Sequence, residues 1–465
     1  MAGFSSLNVA VTGLAAAQRA MDIVGQNVVN ANTPGYSRQR VDVSSVGVSS
    51  AATMFSGTNA SVGGVRIDGV ARIRDAFLEG ARAAAGGKLN ALQSQNSVLT
   101  QVQNLLSEPG ETGLQSTMDS FFTAWQDLAQ RPDDSAAGAV VIQRGNAVAD
   151  QLKFVSEGIT SQWMSSQSDL SNVVSQTNQA LTDLAGVNQK IRQGANAGAD
   201  VNELEDQRDT LVRTLSDLVG ASASTNSDGT TAVSVNGINV LDGDHAEKVT
   251  LTGAGTLANV ASDPPAITWG TVTVPVASGK AAGLLAALKT DLPKLASQTD
   301  QVAVALRDVV NTTHQQGFTL AGAQGGDFFS GTDASTLGVV PTDPTELAVA
   351  STAGTVDGNN ALALGDLVDE RTARTVLGSE GPSELWRNMV ANYGVKVQSV
   401  SNGVTVQQTV VASADSMVEA DAGVSVDEEM SSMLLYQRAF EASSRIITTV
   451  DSMMDTLINR TGVGG

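Results

Sequence analysis

The chain of 465 residues contains no cysteine, which excludes disulfide bonds, cysteine-ligated zinc and thiol catalysis. Aromatic residues make up only 4% of the sequence, so platforms for stacking nucleic-acid bases are scarce. Basic residues are also few, with Lys+Arg 27 against Asp+Glu 48 and a net charge of -21. Such a surface repels phosphate backbones. We therefore expect no nucleic-acid partner.

Long apolar runs are missing as well. No stretch approaches the ~18 apolar residues of a membrane-spanning helix, so we expect no membrane insertion. The first residues, MAGFSSLNVAVTGLAAAQ, lack the charged and continuous apolar regions of a cleavable signal peptide. If the protein leaves the cell, this pattern predicts another route. The 42% hydrophobic content still allows a real core, and the length fits about three domains of ~150 residues.

The apolar residues near the start follow a seven-residue repeat, which is typical of a coiled-coil seam. The two rows are Leu7, Leu14, Met21 and Val28, and Phe4 and Val11. The helix is expected to end near Asn32, which tolerates a left-handed C-cap conformation, because Pro34 cannot continue a helix. An ordinary amphipathic helix on a globular core would show a similar pattern.

The C-terminal segment weighs against that simpler interpretation, because it carries a second seven-residue repeat. Ser425 and Glu428 fit a capping box at its start. The apolar rows are Val426, Met433, Phe440, Ile447 and Met454, and Tyr436, Val450 and Leu457. Ala439, Ile446 and Met453 widen the apolar arc beyond what one partner helix covers. The two ends therefore predict a terminal coiled coil with surface left over for other subunits.

Four ordered motifs resemble those of flagellar axial proteins. NVVNANTPGYSRQRV is similar to the N-terminal signature, in a form that resembles the flagellar hook-associated protein 1 family more than hook or rod proteins. The motif residues are Asn30, Asn32, Thr33, Pro34, Gly35, Tyr36, Ser37, Arg38 and Gln39. GVRIDGVARIRDAFLEGARAAAG, NELEDQRDTLVRTLSDLV and VSVDEEMSSMLLYQRAFEASSRIITTVDSMMDTL resemble later segments of the family. The resemblance covers both ends and the helical middle.

The resemblance implies a structural protein and no enzyme: a subunit of the junction between flagellar hook and filament, exported unfolded through the flagellar type III apparatus. It implies an extracellular position in the flagellum. The implied partners are copies of the chain in a ring, the hook protein on one side, the next hook-associated protein on the other, and a cytoplasmic export chaperone on the C-terminal helix. The alternatives are a hook or rod protein of the same axial superfamily, and an enzyme with a helical core and a β substrate domain.

The pattern along the chain predicts a mainly α fold with a β-rich insertion. Residues 1–35 and 424–465 are assigned to a terminal coiled-coil domain and 36–74 to an extended connecting segment. Residues 75–219 and 280–423 are assigned to a long-helix bundle, the middle domain, with irregular and β parts near 317–360. Residues 220–279 are assigned to a small outer β domain, in which Asn236–Gly237 marks a hairpin. The helical pattern resumes from Asp75. Candidate helices cover 88–106, 113–130, 135–194, 200–219, 280–316 and 383–393, with a short one near 360–370.

The sequence leaves two local questions open. The stretch 44–62 has no periodicity, and it is either a loop packed against a neighbouring subunit, which we favour, or a plain linker. Asn188 interrupts an apolar row in the pattern over 135–194. Either it fixes the register against a partner helix or it faces solvent at the edge of the row.

The sequence offers only weak candidates for chemistry. Gly253, Gly255 and Ala258 fit a loose dinucleotide-binding pattern, but no helix or acidic residue follows at the required places. His245 lies in a turn, and His314 lies near a helix end, where a cation would suit the helix dipole. LDGDHAE lacks the length of an EF-hand loop. We therefore expect no catalytic residues, no cofactor and no metal.

Overall fold

The computed structural model describes residues 2–33, 35–46, 63–108, 110 and 112–456, with side chains from residue 6 onward. The fold is mainly α-helical with small antiparallel sheets, as the sequence predicted. None of the described helices is long and apolar enough to span a bilayer. Residues 47–62, most of the stretch whose role the sequence left open, lie outside the described residues.

Two long helices lie at the ends of the chain. Helix α1 spans Ala2–Asn30 and helix α11 spans Val426–Asp455, and the two pack against each other. Strands β1 (Gln39–Ser45) and β2 (Val65–Arg72) follow α1 and form an antiparallel hairpin. The N-terminal and C-terminal helices of the chain thus lie side by side.

The middle of the chain is a bundle of helices. They are α2 (Ala76–Leu106), α3 (Leu114–Gln130), α4 (Ser135–Asn196), α5 (Asn202–Val219), α6 (Lys280–Ala286), α7 (Leu292–His314), α8 (Asn359–Gly365), α9 (Glu370–Leu377) and α10 (Pro382–Ala422). A π-helical turn, Ala287–Asp291, joins α6 to α7. Asp75 and Asp134 cap α2 and α4 by accepting backbone N–H groups of the first turn. At 1.5 Å per residue α4 is about 93 Å long, so it runs through most of the bundle.

Short strands lie between α5 and α6. They are β3 (Ala221–Thr225), β4 (Thr231–Val235), β5 (Ile238–Asp242), β6 (His245–Ala246), β7 (Val249–Thr252), β8 (Ala266–Trp269) and β9 (Val272–Thr273). They form two antiparallel sheets with the strand orders β3-β4-β5-β6 and β7-β8-β9. Asn236 and Gly237 turn between β4 and β5 with φ of 48° and 80°, so the predicted hairpin is present. Strands β10 (Phe329–Ser330) and β11 (Gly338–Val339) pair after α7.

Side-chain amides of α4 fasten the β-rich segment to the bundle. Asn178 donates to Val249 O at 2.8 Å and accepts from Val249 N at 2.9 Å. Asn188 makes the same pair of bonds with Thr231, at 2.8 and 3.0 Å, and also donates to Gly243 O. Asn188 is fully buried. Neither role foreseen for it is therefore correct, because its partner is a strand and not a helix or water. The boundary of an outer β domain at residue 220 stays a prediction.

A continuous hydrophobic core connects the bundle with the β-rich segment. Its aromatic centre includes Phe121, Trp125, Phe328 and Phe329, with ring centroids of Phe328 and Phe329 4.8 Å apart. His314 packs against this centre. Burial lowers the pKa of His314. The expectation of a cation at this helix end is therefore wrong, because a neutral imidazole fits the core better.

Helix α10 is longer than the sequence indicated. Helix α10 runs to Ala422 although its second half is rich in valine, threonine and serine, which lowers helix propensity. Packing along α2 overrides this, as in the hydrogen bond from Gln407 Nε2 to Ala85 O at 3.0 Å. Helix α2 begins at Ala76, after its cap Asp75, and runs through Gly86 and Gly87. A β-carbon on Gly87 would lie 3.0 Å from Ser216 O, so this glycine permits close approach of α5.

Candidate assembly interface

Helices α1 and α11 are antiparallel, and two contacts define their alignment. Asn27 Nδ2 donates to Glu429 Oε2 at 2.9 Å. A β-carbon on Gly13 would lie 3.4 Å from Ser443 Oγ. Asn27 and Gly13 are as far apart in the sequence as Glu429 and Ser443, so both contacts belong to one register.

The face of α1 that is buried consists mostly of small side chains. Its apolar residues are Ala10, Ala17, Ala20, Ile23 and Val24, none of which is more than 6% exposed. Small side chains on one helix leave room for large ones on the facing helix. The large side chains of this pair therefore come from α11.

The rows predicted for α11 lie on the side that faces α1. The half-buried members are Met433, Tyr436, Phe440, Ile447, Val450 and Met454. Val426, in the first turn, is 46% exposed. Leu457 lies outside the described residues.

The structure differs from the predicted row on α1. Leu7, Leu14, Met21 and Val28 are only half-buried and flank the small-residue face, and Val11 is 48% exposed. The side chain of Phe4 lies outside the described part of the chain. A seven-residue period fixes the width of a seam but does not say which of two adjacent rows faces the partner. The prediction places the larger residues in the seam, whereas the alanines are buried. A role for the larger row in contacts with other subunits stays a prediction.

A polar cluster lies where the N-terminal end of α11 meets the C-terminal end of α1. Asn27 is buried, and all four hydrogen-bonding positions of its side chain are used. Oδ1 accepts from Tyr36 Oη at 2.8 Å and from Gln39 N at 3.0 Å. Nδ2 donates to Gln39 O and to Glu429 Oε2, both at 2.9 Å. Asn27 therefore joins α1, β1 and α11.

The acidic side of this cluster is buried as well. Glu429 is 2% exposed, and Arg38 Nε donates to its Oε1 at 2.7 Å. Arg38 also reaches Glu428, at 3.2 Å. Burial, with smaller contributions from Asp206 and Glu429, raises the pKa of Tyr36 to about 12. The phenol therefore stays protonated and keeps donating to Asn27 at ordinary pH.

Sequence reasoning missed both members of this buried pair. Asn27 lies seven residues after Ala20, and Glu429 lies seven residues before Tyr436. A polar residue at the seven-residue spacing in each helix was the available signal.

A second charged cluster ties the β1–β2 hairpin to α5. Ser37 Oγ donates to Asp206 Oδ1 at 2.8 Å. Arg72, whose side chain is 4% exposed, contacts Glu205 at 2.9 Å, Asp206 at 2.6 Å and Asp209 at 2.8 Å. Three carboxylates thus share one buried guanidinium, which anchors the hairpin beside the terminal helices.

Asp209 is ionised despite its burial. Burial alone would raise the pKa of this carboxyl, but Arg208, Arg74 and Arg72 outweigh burial and lower its pKa. The acidic and basic residues of NELEDQRDTLV therefore have a structural role, which is to hold β2 on the helix.

The rest of the N-terminal motif forms the turn between α1 and β1. Helix α1 ends at Asn30, and Thr33 Oγ1 donates to Asn30 Oδ1 at 3.2 Å. The left-handed conformation expected at Asn32 occurs at Gly35 instead, with φ of 84°. Pro34 lies outside the described residues.

The candidates for chemistry have structural surroundings. His314 Nδ1 contacts Gly326 O at 2.8 Å, and its Nε2 accepts from Ala348 N at 2.9 Å. Gly253 has φ of 103° in the connection that follows β7. Within the described ranges, no three His, Asp or Glu side chains lie close enough together to hold a metal ion.

Three protein-family models match this chain. The flagellar hook-associated protein FlgK helical domain matches residues 99–329, the flagella basal body rod protein matches 7–36, and the flagellar basal body rod FlgEFG protein C-terminal matches 417–460. Flagellar hook-associated protein 1 of Bacillus subtilis is 28% identical and aligns over 99% of this chain and 99% of its own length. Its namesake in Escherichia coli is 25% identical over 98% and 99%. The chain belongs to the flagellar hook-associated protein 1 family.

The chain is therefore a structural component of the bacterial flagellum, which confirms the resemblance seen in the four motifs. The fold agrees. The structure of the flagellar hook junction protein FlgK from Burkholderia pseudomallei matches with a TM-score of 0.64 and 14% identity, over 74% of this chain and 99% of that one.

One side of α11 in this flagellar protein remains uncovered by α1. We define the open stripe as Leu435, Ala439, Ala442, Ile446 and Met453, which recur at spacings of three, four and seven residues on one face. All five are exposed, with Leu435 at 66%, Ile446 at 48% and Met453 at 62%. The chain itself offers this stripe no apolar cover in the described structure.

Proposed function

We propose that this protein is a subunit of the hook–filament junction that assembles through its terminal helix pair. The observation that carries the proposal is the open stripe on α11. A helix pair that buries one face and leaves a second apolar face in water is suited to pack against further helices. Copies of the chain arranged in a ring would supply those helices.

The energetics favour such packing. Fully burying a large apolar side chain contributes about 1.5–3 kcal/mol, and the stripe offers three of them in Leu435, Ile446 and Met453. This stabilising free energy would be gained at every subunit contact around a ring. The buried polar cluster at Asn27 keeps the pair attached to the hairpin while the stripe engages neighbours.

The remaining partners follow from family membership. We infer the hook protein on one side of the ring and the next hook-associated protein on the other. We infer export through the flagellar apparatus, with a cytoplasmic chaperone that covers the C-terminal helix before export. An exposed apolar stripe on that helix is a suitable target, because it needs protection from water until assembly.

The alternative of a hook or rod protein has less support. Rod-protein models match only the two ends, 7–36 and 417–460. The helical-domain model of the hook-associated protein matches the long middle, 99–329. The structural family also argues against the enzyme alternative.

The proposal is tested by placing a carboxylate on the stripe. Ile446→Asp buries an unpaired charge at a subunit contact, which costs several kcal/mol, but leaves the face towards α1 intact. Thr448→Asp is the matched control, because Thr448 is exposed on the other side of α11. We expect Ile446→Asp to abolish swimming and filament attachment while monomer melting stays unchanged, and Thr448→Asp to swim normally. Normal swimming of Ile446→Asp would refute the role of the stripe.

A further inference from the structure

The apolar seam between α1 and α11 does not define its own register. Seven-residue steps along α11 replace one large apolar residue by another, as in the row Met433, Phe440, Ile447 and Met454. The facing side chains on α1 are small at Ala10 and Ala17. A slip of α11 by seven residues would therefore bury similar side chains against a similar surface.

The polar pair distinguishes these registers. In the observed register, buried Glu429 faces buried Asn27 and accepts its amide at 2.9 Å. A slip of seven residues in one direction would place Glu429 opposite Ala20, which offers a carboxylate no donor. A slip in the other direction would carry Glu429 beyond Asn30, where α1 ends. Each slip leaves a buried charge without its amide partner and moves it away from Arg38, whose Nε donates to it at 2.7 Å in the observed register, which is costly.

We propose that the hydrogen bond between Asn27 and Glu429 sets the register of the terminal helix pair. A single buried polar residue can fix register in a coiled coil, and here two different residues from opposite ends of the chain share that task. Asn27 is itself tied to the backbone of Gln39 at 2.9 and 3.0 Å. The bond therefore also fixes the position of α11 along α1 relative to the β1–β2 hairpin. The open stripe on α11 is held at a defined position relative to the rest of the protein. The inference concerns the fold of the single chain and does not depend on what the stripe binds.

Engineered cysteines can measure the register, because the chain has none of its own. Gly13→Cys with Ser443→Cys reports the observed register, since a β-carbon on Gly13 would lie 3.4 Å from Ser443 Oγ. Gly13→Cys with Tyr436→Cys and Gly13→Cys with Val450→Cys report slips of seven residues in the two directions. Cross-linking of the full chain under mild oxidation is followed by mass spectrometry.

With Asn27 and Glu429 in place, we expect the cross-link between positions 13 and 443 to exceed each slipped cross-link by at least about tenfold, a ratio that one lost charge-assisted hydrogen bond can supply. In the background Asn27→Leu with Glu429→Leu, we expect the three yields to agree within about threefold, because the apolar seam alone does not discriminate. Glu429→Leu alone, which leaves the bonds between Asn27 and Gln39 intact, should behave in the same way. Tyr36→Phe is the control, since it removes one bond to Asn27 but not the pair, and it should keep the tenfold preference.

Three results would overturn the proposal. The first is an unchanged preference in both Glu429→Leu backgrounds. The second is loss of all three cross-links there, which would mean that the polar pair is needed for helix pairing and not for register. The third is failure of the cross-link between positions 13 and 443 when Asn27 and Glu429 are present.

Discussion

Asn188 holds Thr231 as a neighbouring strand would, donating to its carbonyl at 2.8 Å and accepting from its N–H at 3.0 Å. The helix α4 thereby completes the hydrogen bonding of a strand that begins at its side. The same two-bond clamp joins Asn27 to Gln39, Asn178 to Val249 and Asn311 to Phe329. Strands in this protein are docked onto helices by asparagine side chains as well as by apolar packing.

Replacing Asn188 should weaken the docking of the β-rich segment. Asn188→Ala leaves the buried N–H and carbonyl of Thr231 without partners, at about 1–3 kcal/mol for each unpaired group. Chemical denaturation should show the loss as a lower midpoint. Gln189→Ala, one position away and exposed, should change the midpoint little. Equal stability of the two variants would show that the clamp contributes nothing.

Arg72 should contribute far more to stability than Arg66, the exposed arginine in the same strand. Arg72→Met removes the one guanidinium shared by Glu205, Asp206 and Asp209. Breaking a buried ion pair by removing one partner costs up to about 3–5 kcal/mol, and the loss here should be smaller because Arg208 and Arg74 still pair with Glu205 and Asp209. Arg66→Met is the control, because Arg66 is exposed and, among the described residues, forms an ion pair only with Asp68. An exposed ion pair is worth about 0–1 kcal/mol. Hydrogen exchange in β1 and β2 should accelerate in the first variant only. Equal hydrogen-exchange rates in the two variants would contradict the proposed role of Arg72.

The protein should lose stability in mild acid because of His314. Burial lowers the pKa of this imidazole in the native state, whereas the unfolded chain has the ordinary value near 6.5. The neutral imidazole therefore contributes stability that is present above about pH 6.5 and is lost as the pH falls through the lowered native pKa. Melting temperatures between about pH 7.5 and pH 5 should fall more steeply in the unmodified chain than in His314→Gln, which keeps a donor and an acceptor without titrating. His245→Gln, in exposed β6, should keep the steep dependence. A slope unaffected by His314→Gln would contradict this.

The middle of the chain should fold without its ends. A fragment of residues 75–423 retains the cap at Asp75, the α2–α10 contact and the continuous core. We expect a single cooperative melting transition, because these helices bury one another. A fragment with native helix content but no cooperative transition would show that the assigned domain boundaries are wrong.

Local patterns predicted the long elements well. The helical period over 135–194 corresponds to α4, Ser135–Asn196, because its buried row repeats over many turns. The Asn236–Gly237 hairpin followed from turn chemistry alone. The half-buried residues of the rows on α11 lie on the side that faces α1, and their part in assembly stays a prediction.

Contacts between segments distant in the sequence could not be predicted from local patterns. The clamp at Asn188 depends on a strand 43 residues further on, so no local period signals it. The choice of the alanine face of α1 depends on the size of the side chains that α11 presents. The close approach of α2 and α5 at Gly87 also joins segments far apart in the sequence, since a β-carbon there would lie 3.0 Å from Ser216 O. The pairing of Asn27 with Glu429 joins positions 402 residues apart.

The asparagine clamps also bear on how the protein ages. Slow hydrolysis of a side-chain amide turns asparagine into aspartate, which removes both N–H donors and sets a negative charge against a backbone carbonyl. At Asn27 the new carboxylate would also oppose Glu429, which now receives a hydrogen bond there. Burial shields Asn27 and Asn188 from the water that this reaction consumes. The durability of an assembled subunit therefore depends on how completely a few amides are kept dry.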